Sequence, residues 1–161
     1  MKNLYKQIVE RLESETVKEK FRQANITPVQ YIDFYNEQNI YWEKEEYIPL
    51  PAVLFDFDID IKNKTASITL HCCYEDLENT SNLVSDHAFN FLTFAELVAE
   101  SLEDLESEKT GKLEPLTESI SKGSVLTPTY LLTYECSFDR CSGVESSRFI
   151  TARGEELNVR K

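Results

Sequence analysis

Three carboxylates at alternating positions, Asp56, Asp58 and Asp60, are the first residues whose types and spacing could do chemistry. Neighbouring carboxylates can hold a divalent cation or act as general acid and base. Here they alternate with apolar residues between positions 53 and 61, which is the period-2 pattern of a strand with one buried face. The aspartates are therefore expected mid-strand, on one polar face. We predict a solvated or interface-facing acidic row, and a metal-dependent enzyme built on Asp56 and Asp58 is a remaining alternative.

The other candidates for chemistry are the cysteines and histidines, Cys72, Cys73, Cys136, Cys141, His71 and His87. Four thiols and an imidazole can bind zinc, but the chain has no Cys-x-x-Cys pair, and adjacent residues of a strand face opposite ways. We expect Cys72 and Cys136 to be small buried side chains. No nucleophile-elbow motif is present, and the four glycines form no phosphate-binding loop. We therefore predict no catalytic, cofactor-binding or metal-binding residue and no enzymatic activity.

The charge balance argues against some kinds of partner. The 161 residues include 17 basic and 29 acidic side chains, for a formal net charge of -12. A surface of that sign repels phosphate backbones and anionic lipid head groups. The most apolar window, residues 83–102, is interrupted by acidic and polar residues, so we expect no membrane span. We expect neither sequence-specific nucleic-acid binding nor membrane binding.

The charge is also unevenly distributed along the chain. Residues 140–161 contain five basic and three acidic side chains, whereas residues 1–139 contain 12 basic and 26 acidic ones. From the length and this change in charge, we predict a single α+β domain over residues 1–139 and a polar, mildly basic tail over residues 140–161. Such a tail can lie on its own domain, lie on a neighbouring copy, or extend into solvent.

Hydrophobic periodicity predicts the elements that position these residues. Helices are expected at 3–24 and 87–106, and strands at 29–35, 53–61, 66–74 and 125–138. A hairpin turn is expected at 62–64, where Asn63 tolerates the left-handed conformation. The polar segment 107–122 is predicted to be a long loop that is mobile or ordered by a partner. The fold class is α+β, a small, mostly antiparallel sheet of about four strands with two main helices packed on one face.

The order of these elements and two short stretches carry a family resemblance. Residues 49–57 read Pro-Leu-Pro-Ala-Val-Leu-Phe-Asp-Phe, and the predicted hairpin partner at 66–71 reads Ala-Ser-Ile-Thr-Leu-His. An N-terminal helix and an aromatic extended segment precede them, and a helix and a long final strand follow. Over residues 3–138 this arrangement resembles the tail terminator, or tail completion, proteins of long-tailed phages and related prophage elements.

The resemblance implies a structural protein without a catalytic site or cofactor. Members of that family form a ring, commonly of six copies, which caps the finished tail tube and joins it to the head connector. The implied partners are other copies of this chain, the tail-tube protein and head-connector proteins. The implied location is the virion tail, and the cytoplasm of the bacterial host during assembly. An acidic surface beside a DNA conduit would let the duplex slide without sticking.

We select candidate interface residues by their charge. They are Asp56, Asp58, Asp60, Glu103, Glu106, Arg148 and Arg153. A basic tail and an acidic body suit the head-to-tail contacts of a ring. The acidic groups also support a second function class, an acidic adaptor or inhibitor protein that binds a basic protein partner by matching its charge. In that class Glu100 and Asp104 join the acidic row as contact residues.

Overall fold

A computed structural model describes residues 1–36, 48–74, 85–107, 110–121 and 129–138. The elements in chain order are α1 (Lys2–Glu13), α2 (Glu15–Gln23), β1 (Tyr31–Phe34), β2 (Ala52–Asp60), β3 (Thr65–Cys73), α3 (Ser85–Ser101), β4 (Glu114–Ile120) and β5 (Thr129–Ser137). The strands form one mixed sheet in the order β1-β2-β3-β5-β4. The α+β class is confirmed, and the described ranges contain one helix and one strand more than predicted.

The expectation of one helix at 3–24 is wrong, because Ser14 divides it into two. Ser14 has extended backbone angles, φ -63° and ψ 142°, and its hydroxyl caps α2 by accepting from the Val17 N–H at 3.4 Å. The same hydroxyl donates to the Arg11 carbonyl at 2.7 Å. Serine is a favoured N-cap because its oxygen satisfies an N–H that has no intrahelical partner. The apolar residues that recur at helical spacing are buried in both helices. They are Leu4, Ile8 and Leu12 of α1, and Val17 and Phe21 of α2.

β2 and β3 form the hairpin at the centre of the sheet. Nine residue pairs keep one unbroken antiparallel register, from Ala52 opposite Cys73 to Asp60 opposite Thr65. β5 joins the other side of β3 in nine further antiparallel pairs. β1 joins the other side of β2, and it runs parallel to it. That parallel pair makes the sheet mixed rather than purely antiparallel.

The hairpin turn at 61–64 is organised by the Asp60 side chain. One carboxylate oxygen accepts from the backbone N–H groups of Lys62 and Asn63, at 2.9 and 3.0 Å. The other accepts from the side-chain amide of Asn63 at 2.7 Å. The left-handed residue is Lys64, with φ 56°, and not Asn63 as predicted. Asp60 thus belongs to the turn that fixes the register of the central hairpin.

The predicted loop at 107–122 contains β4, which the periodicity of the sequence misses. β4 pairs antiparallel with β5, with an irregularity in register between Pro115 and Thr117. Every residue of β4 is exposed. A strand without a buried face has no alternation of apolar and polar residues, so it resembles a polar loop in sequence.

The remaining predicted elements are present with shifted ends. α3 ends at Ser101, several residues before the predicted limit, and β1 and β5 lie within the segments predicted for them. The predicted tail at 140–161 lies outside the described residues.

The three helices pack on one face of the sheet, as predicted for the helical layer. The core there joins residues of all three helices to β2, β3 and β5. Phe21 of α2, Phe55 of β2 and Phe94 of α3 are among the largest fully buried side chains. The rings of Phe21 and Phe94 pack with 5.7 Å between their centroids. Burial of side chains this large supplies much of the hydrophobic stabilisation.

The opposite face of the sheet also has a buried part, which the alternation in β2 does not predict. Ala52, Leu54 and Cys73 are buried there, and the side chains packed against them are Tyr31, Tyr35, Ile48 and Leu50. The alternation places Leu54 in one row with Asp56 and Asp58. Leu54 is 0% exposed, however, whereas both aspartates are exposed. The polar row therefore begins at Asp56, and the first half of β2 is buried on both faces.

Truncating Leu54 should test this two-sided burial. Leu54→Ala should lower the free energy of unfolding by about 2–5 kcal/mol, because it removes buried methyl groups and leaves a cavity. Asp58→Ala, on the same face of the same strand, should change it by no more than about 0.5 kcal/mol. Urea denaturation measures both values. Equal effects of the two substitutions would contradict the second buried cluster.

Candidate functional site

The outer face of the sheet, which is the face opposite the helices, carries the predicted acidic row. The strand register puts Asp56 opposite Thr69 and Asp58 opposite Ser67. The row that contains Asp56 and Thr69 continues as Thr133 of β5 and Thr117 of β4. The row that contains Asp58 and Ser67 continues as Glu135 of β5 and Glu114 of β4. Where the rows cross β3 and β5, the hydroxyls of Thr69 and Thr133 lie 3.4 Å apart. The exposed part of this face is thus a polar surface with carboxylates along one end.

The carboxylates of the acidic row act separately rather than converging on one point. Asp56 accepts from the Phe57 N–H at 2.8 Å, and Asp60 is engaged in the hairpin turn. Three hydrogen bonds lower the pKa of Asp60. The one from the Asn63 backbone has the largest effect, and those from the Asn63 side chain and the Lys62 backbone have smaller ones. Among the described residues, no group of three or more His, Cys, Asp or Glu side chains is placed to hold a metal ion.

His71 lies on the outer face beside the acidic row and is held by an aromatic stack. Its ring lies on that of Tyr35, with 3.8 Å between centroids and 9° between the planes. Burial lowers the pKa of His71, and the negative charge of Asp56 acts in the opposite direction. The folded chain therefore favours the neutral imidazole.

Three of the four cysteines, Cys72, Cys73 and Cys136, are free and buried. Burial raises the pKa of Cys72 and of Cys136, so both thiols stay protonated at neutral pH and are poor nucleophiles. The prediction that these two side chains are buried is confirmed. Cys141 lies outside the described residues.

A groove lies on the helical side of the sheet, between the C-terminal half of α3 and β4. Its volume is about 480 Å³, and its walls carry five carboxylates, those of Glu96, Glu100, Glu103, Asp104 and Glu118. Leu113, Pro115 and Tyr134 contribute apolar surface to it. Lys112, the one cation among the described lining residues, forms an ion pair with Asp104. We call this feature the acidic groove.

Two tyrosines of β5 lie next to the groove carboxylates. Tyr130 donates to Glu118 at 2.7 Å, and this hydrogen bond, together with burial, raises the pKa of Tyr130 to about 12. Tyr134 lines the groove but is only 5% exposed. Burial raises the pKa of Tyr134, and the charges of Glu118 and Glu103 act in the same direction. Both phenols are therefore neutral and able to donate a hydrogen bond at neutral pH.

The candidate interface residues do not form one surface. Asp56, Asp58 and Asp60 follow the outer face, whereas Glu103 lines the acidic groove on the helical side. Glu106 lies in a separate depression that it shares with Arg11 of α1. Arg148 and Arg153, the candidate basic residues, lie outside the described residues.

Sequence reasoning missed Glu96, Glu118 and Tyr134 as groove residues. The spacing of Glu96, Glu100 and Glu103 is that of residues on one face of a helix. The sequence alone therefore indicates that these three carboxylates lie close together. Glu118 lies in the segment predicted to be a loop, so nothing in the sequence indicates that it faces the end of α3. Tyr134 lies within the strand predicted at 125–138, but its hydroxyl could not be placed without the groove.

Searches against protein-family models and curated proteins found no match to this chain. None of the helices in the described ranges is both long and apolar enough to cross a bilayer.

The partly buried imidazole of His71 predicts a pH dependence of stability. Because the folded chain lowers the pKa of His71 below the ordinary value of 6.5, it binds fewer protons than the unfolded chain. Stability should therefore fall as the pH drops below 6.5. In His71→Phe, which keeps an aromatic ring against Tyr35, the fall should be smaller.

Chemical denaturation between pH 7 and pH 5.5 measures this effect, at pH values above the range in which most carboxylates titrate. Equal slopes for the wild type and His71→Phe would contradict the assignment of this pH dependence to His71.

Proposed function

We propose that this chain is a structural protein of a phage or prophage tail. In this proposal, copies of the chain form a ring that caps the tail tube and joins it to the head connector. The observation that supports it most is that the two end strands of the described sheet, β4 and β1, differ from each other and each has exposed apolar side chains. No cofactor or catalytic group is part of this role.

The first of these end strands is β4. It pairs with β5 on one side, and among the described residues no strand pairs with its other side. Leu116 is 58% exposed and Ile120 is 46% exposed. An exposed edge strand of seven residues with apolar side chains tends to pair with another chain, and proteins usually protect such edges unless they use them.

The second edge is β1, at the opposite end of the sheet. Phe34 of β1 is 47% exposed and stacks on Tyr5 of α1, with 4.6 Å between ring centroids. The same ring packs edge-on against Phe55, with 5.8 Å between centroids. An aromatic side chain that is already held in place loses little conformational entropy when a partner covers it.

Two unlike edges suit a head-to-tail contact, in which one subunit presents β4 and the next presents a different surface. Repeated contacts of this kind either close into a ring or extend as a filament. The acidic row adds a second argument for the tail role. A ring through which DNA passes benefits from negative charge, because it repels the phosphate backbone and prevents sticking.

A second candidate function is an acidic adaptor or inhibitor protein, and the acidic groove is the observation that favours it. Five carboxylates around one paired lysine match a basic partner better than they match another acidic subunit. An adaptor of this kind would bind its partner without forming rings, so self-assembly separates the two proposals.

A charge on the β4 edge should prevent self-assembly. Leu116→Lys should reduce a closed oligomer to monomers, because an exposed lysine on an edge strand opposes strand pairing. Ile61→Lys is the matched control, since Ile61 is 63% exposed but lies in the turn between β2 and β3. Native mass spectrometry over a concentration series measures subunit number. Assembly of Leu116→Lys at wild-type concentrations would contradict the role of this edge.

The tail role itself needs a test with the tube protein. In this proposal, the tail-tube protein of the same phage or prophage should polymerise into tubes of indefinite length when it is alone. Addition of this chain should stop growth and leave tubes with a density at one end, as seen by negative-stain electron microscopy. Unchanged growth and bare tube ends would refute the tail role, even if the chain forms rings.

A further inference from the structure

β2 continues past the end of β1, and residues 56–60 have a side that no described strand covers. The N–H of Tyr35 donates to the Phe55 carbonyl at 2.9 Å, so Phe55 directs its backbone groups away from β3. Backbone groups alternate in direction along a strand, so those of Phe57 and Ile59 point the same way. The Phe57 N–H donates to the side chain of the preceding aspartate at 2.8 Å. We call this part of β2 the β2 edge, because another strand can pair with it.

The outer side of β4 carries a similar pair of backbone groups. The N–H of Ser121 donates to the Thr129 carbonyl at 2.9 Å, so by alternation Glu118 and Ile120 direct their backbone groups away from β5. Among the described residues no strand pairs with them there. The side chain of Ile120 is 46% exposed and lies on the helical face of the sheet, since it is opposite Tyr130, whose ring contacts α3. β4 can therefore add to another strand.

We propose that the head-to-tail contact between subunits is made by β4 of one copy, which adds antiparallel to the β2 edge of the next. The proposal rests on the self-assembly proposed above and names the second surface of that contact. The register consists of three cross-strand pairs, which are Ile120 with Phe57, Ser119 with Asp58, and Glu118 with Ile59. At this register the outward-directed backbone groups of the two strands meet. Because β4 and the β2 edge lie at opposite ends of the sheet, the contact repeats from subunit to subunit.

The side chains that meet at this register are complementary. On the helical face, Ile120 covers Phe57 and the neighbouring ring of Phe34, which is 47% exposed and lies 6.3 Å from that of Phe57 between centroids. On the outer face, the Ser119 hydroxyl can donate to the exposed carboxylate of Asp58. The contact therefore buries apolar surface on one face and pairs a donor with an acceptor on the other.

Charge favours the antiparallel direction and the β2 edge as the partner. Glu114, at the start of β4, then lies toward the hairpin turn, where Lys62 and Lys64 are exposed. A parallel strand would instead carry Glu114 toward Asp56, and like charges oppose strand pairing. Pairing of two β4 strands would place the two glutamates of each strand along one contact, and β4 contains no basic residue.

Disulfide cross-linking tests this register. Asp58 and Ser119 direct their backbone groups away from each other in the proposed pair, which brings their Cα atoms to about 4.5 Å, within the range of a disulfide. Within one chain they cannot be linked, because β3 and β5 lie between β2 and β4 and neighbouring strands are about 4.8 Å apart.

The variant for this test is Asp58→Cys with Ser119→Cys in a chain that also carries Cys141→Ser. The remaining native cysteines, Cys72, Cys73 and Cys136, are buried. On mild oxidation the variant should form disulfide-linked oligomers of three or more subunits, which non-reducing electrophoresis measures.

Asp58→Cys with Glu135→Cys in the same background is the matched control. Glu135 is also exposed on the outer face, but it lies on β5, which is paired on both sides, so the yield of linked oligomers should be several-fold lower.

Three results would overturn the proposal, and they separate it from the ring itself. Wild-type oligomers that native mass spectrometry detects, without linkage of the Asp58→Cys and Ser119→Cys variant, would refute this contact and leave the ring proposal standing. Linked dimers of Ser119→Cys alone would show that two β4 strands pair with each other. Absence of a wild-type oligomer at every concentration would overturn this contact and the ring together.

Discussion

The unbroken pairing of β2 with β3 is the constraint on which the rest of the structure depends. Asp60 closes the turn, and nine pairs then keep one register back to Ala52 and Cys73. A slip of one residue would move Phe55 from the helical core to the outer face and bring Asp56 into the core. The positions of β1 and β5, and through β5 that of β4, all follow from this register.

The same register separates the charges of the molecule into two surfaces. Alternation along β2 sends Asp56 and Asp58 to the outer face, while the helical face receives the side chains that α3 covers. The acids at the end of α3 then meet β4 and form the acidic groove. The proposed ring uses the edges of the sheet, whereas the alternative adaptor role uses the groove. The two proposals therefore use different parts of the structure and can be tested separately.

The sequence predicts those elements whose apolar residues recur with a clear period. β2, β3, β5 and the stripe of α1 and α2 are predicted because apolar residues recur along each of them with the period of a strand or of a helix. β4 has no buried face, and Ser14 interrupts the helix without interrupting the apolar stripe. Leu54 is buried by tertiary contacts that local alternation does not encode. The groove joins α3 to a strand that was predicted to be a loop, so the sequence could not indicate it.

Hydrogen–deuterium exchange of the β4 amides tests the central claim, that the β4 edge of the sheet is where copies of the chain meet. It would be measured on the isolated chain and on the assembled oligomer. The account predicts that Glu114–Ile120 becomes more protected on assembly, while β3, which is paired on both sides, stays equally protected in both states. Assembly without a change in exchange at β4 would contradict it.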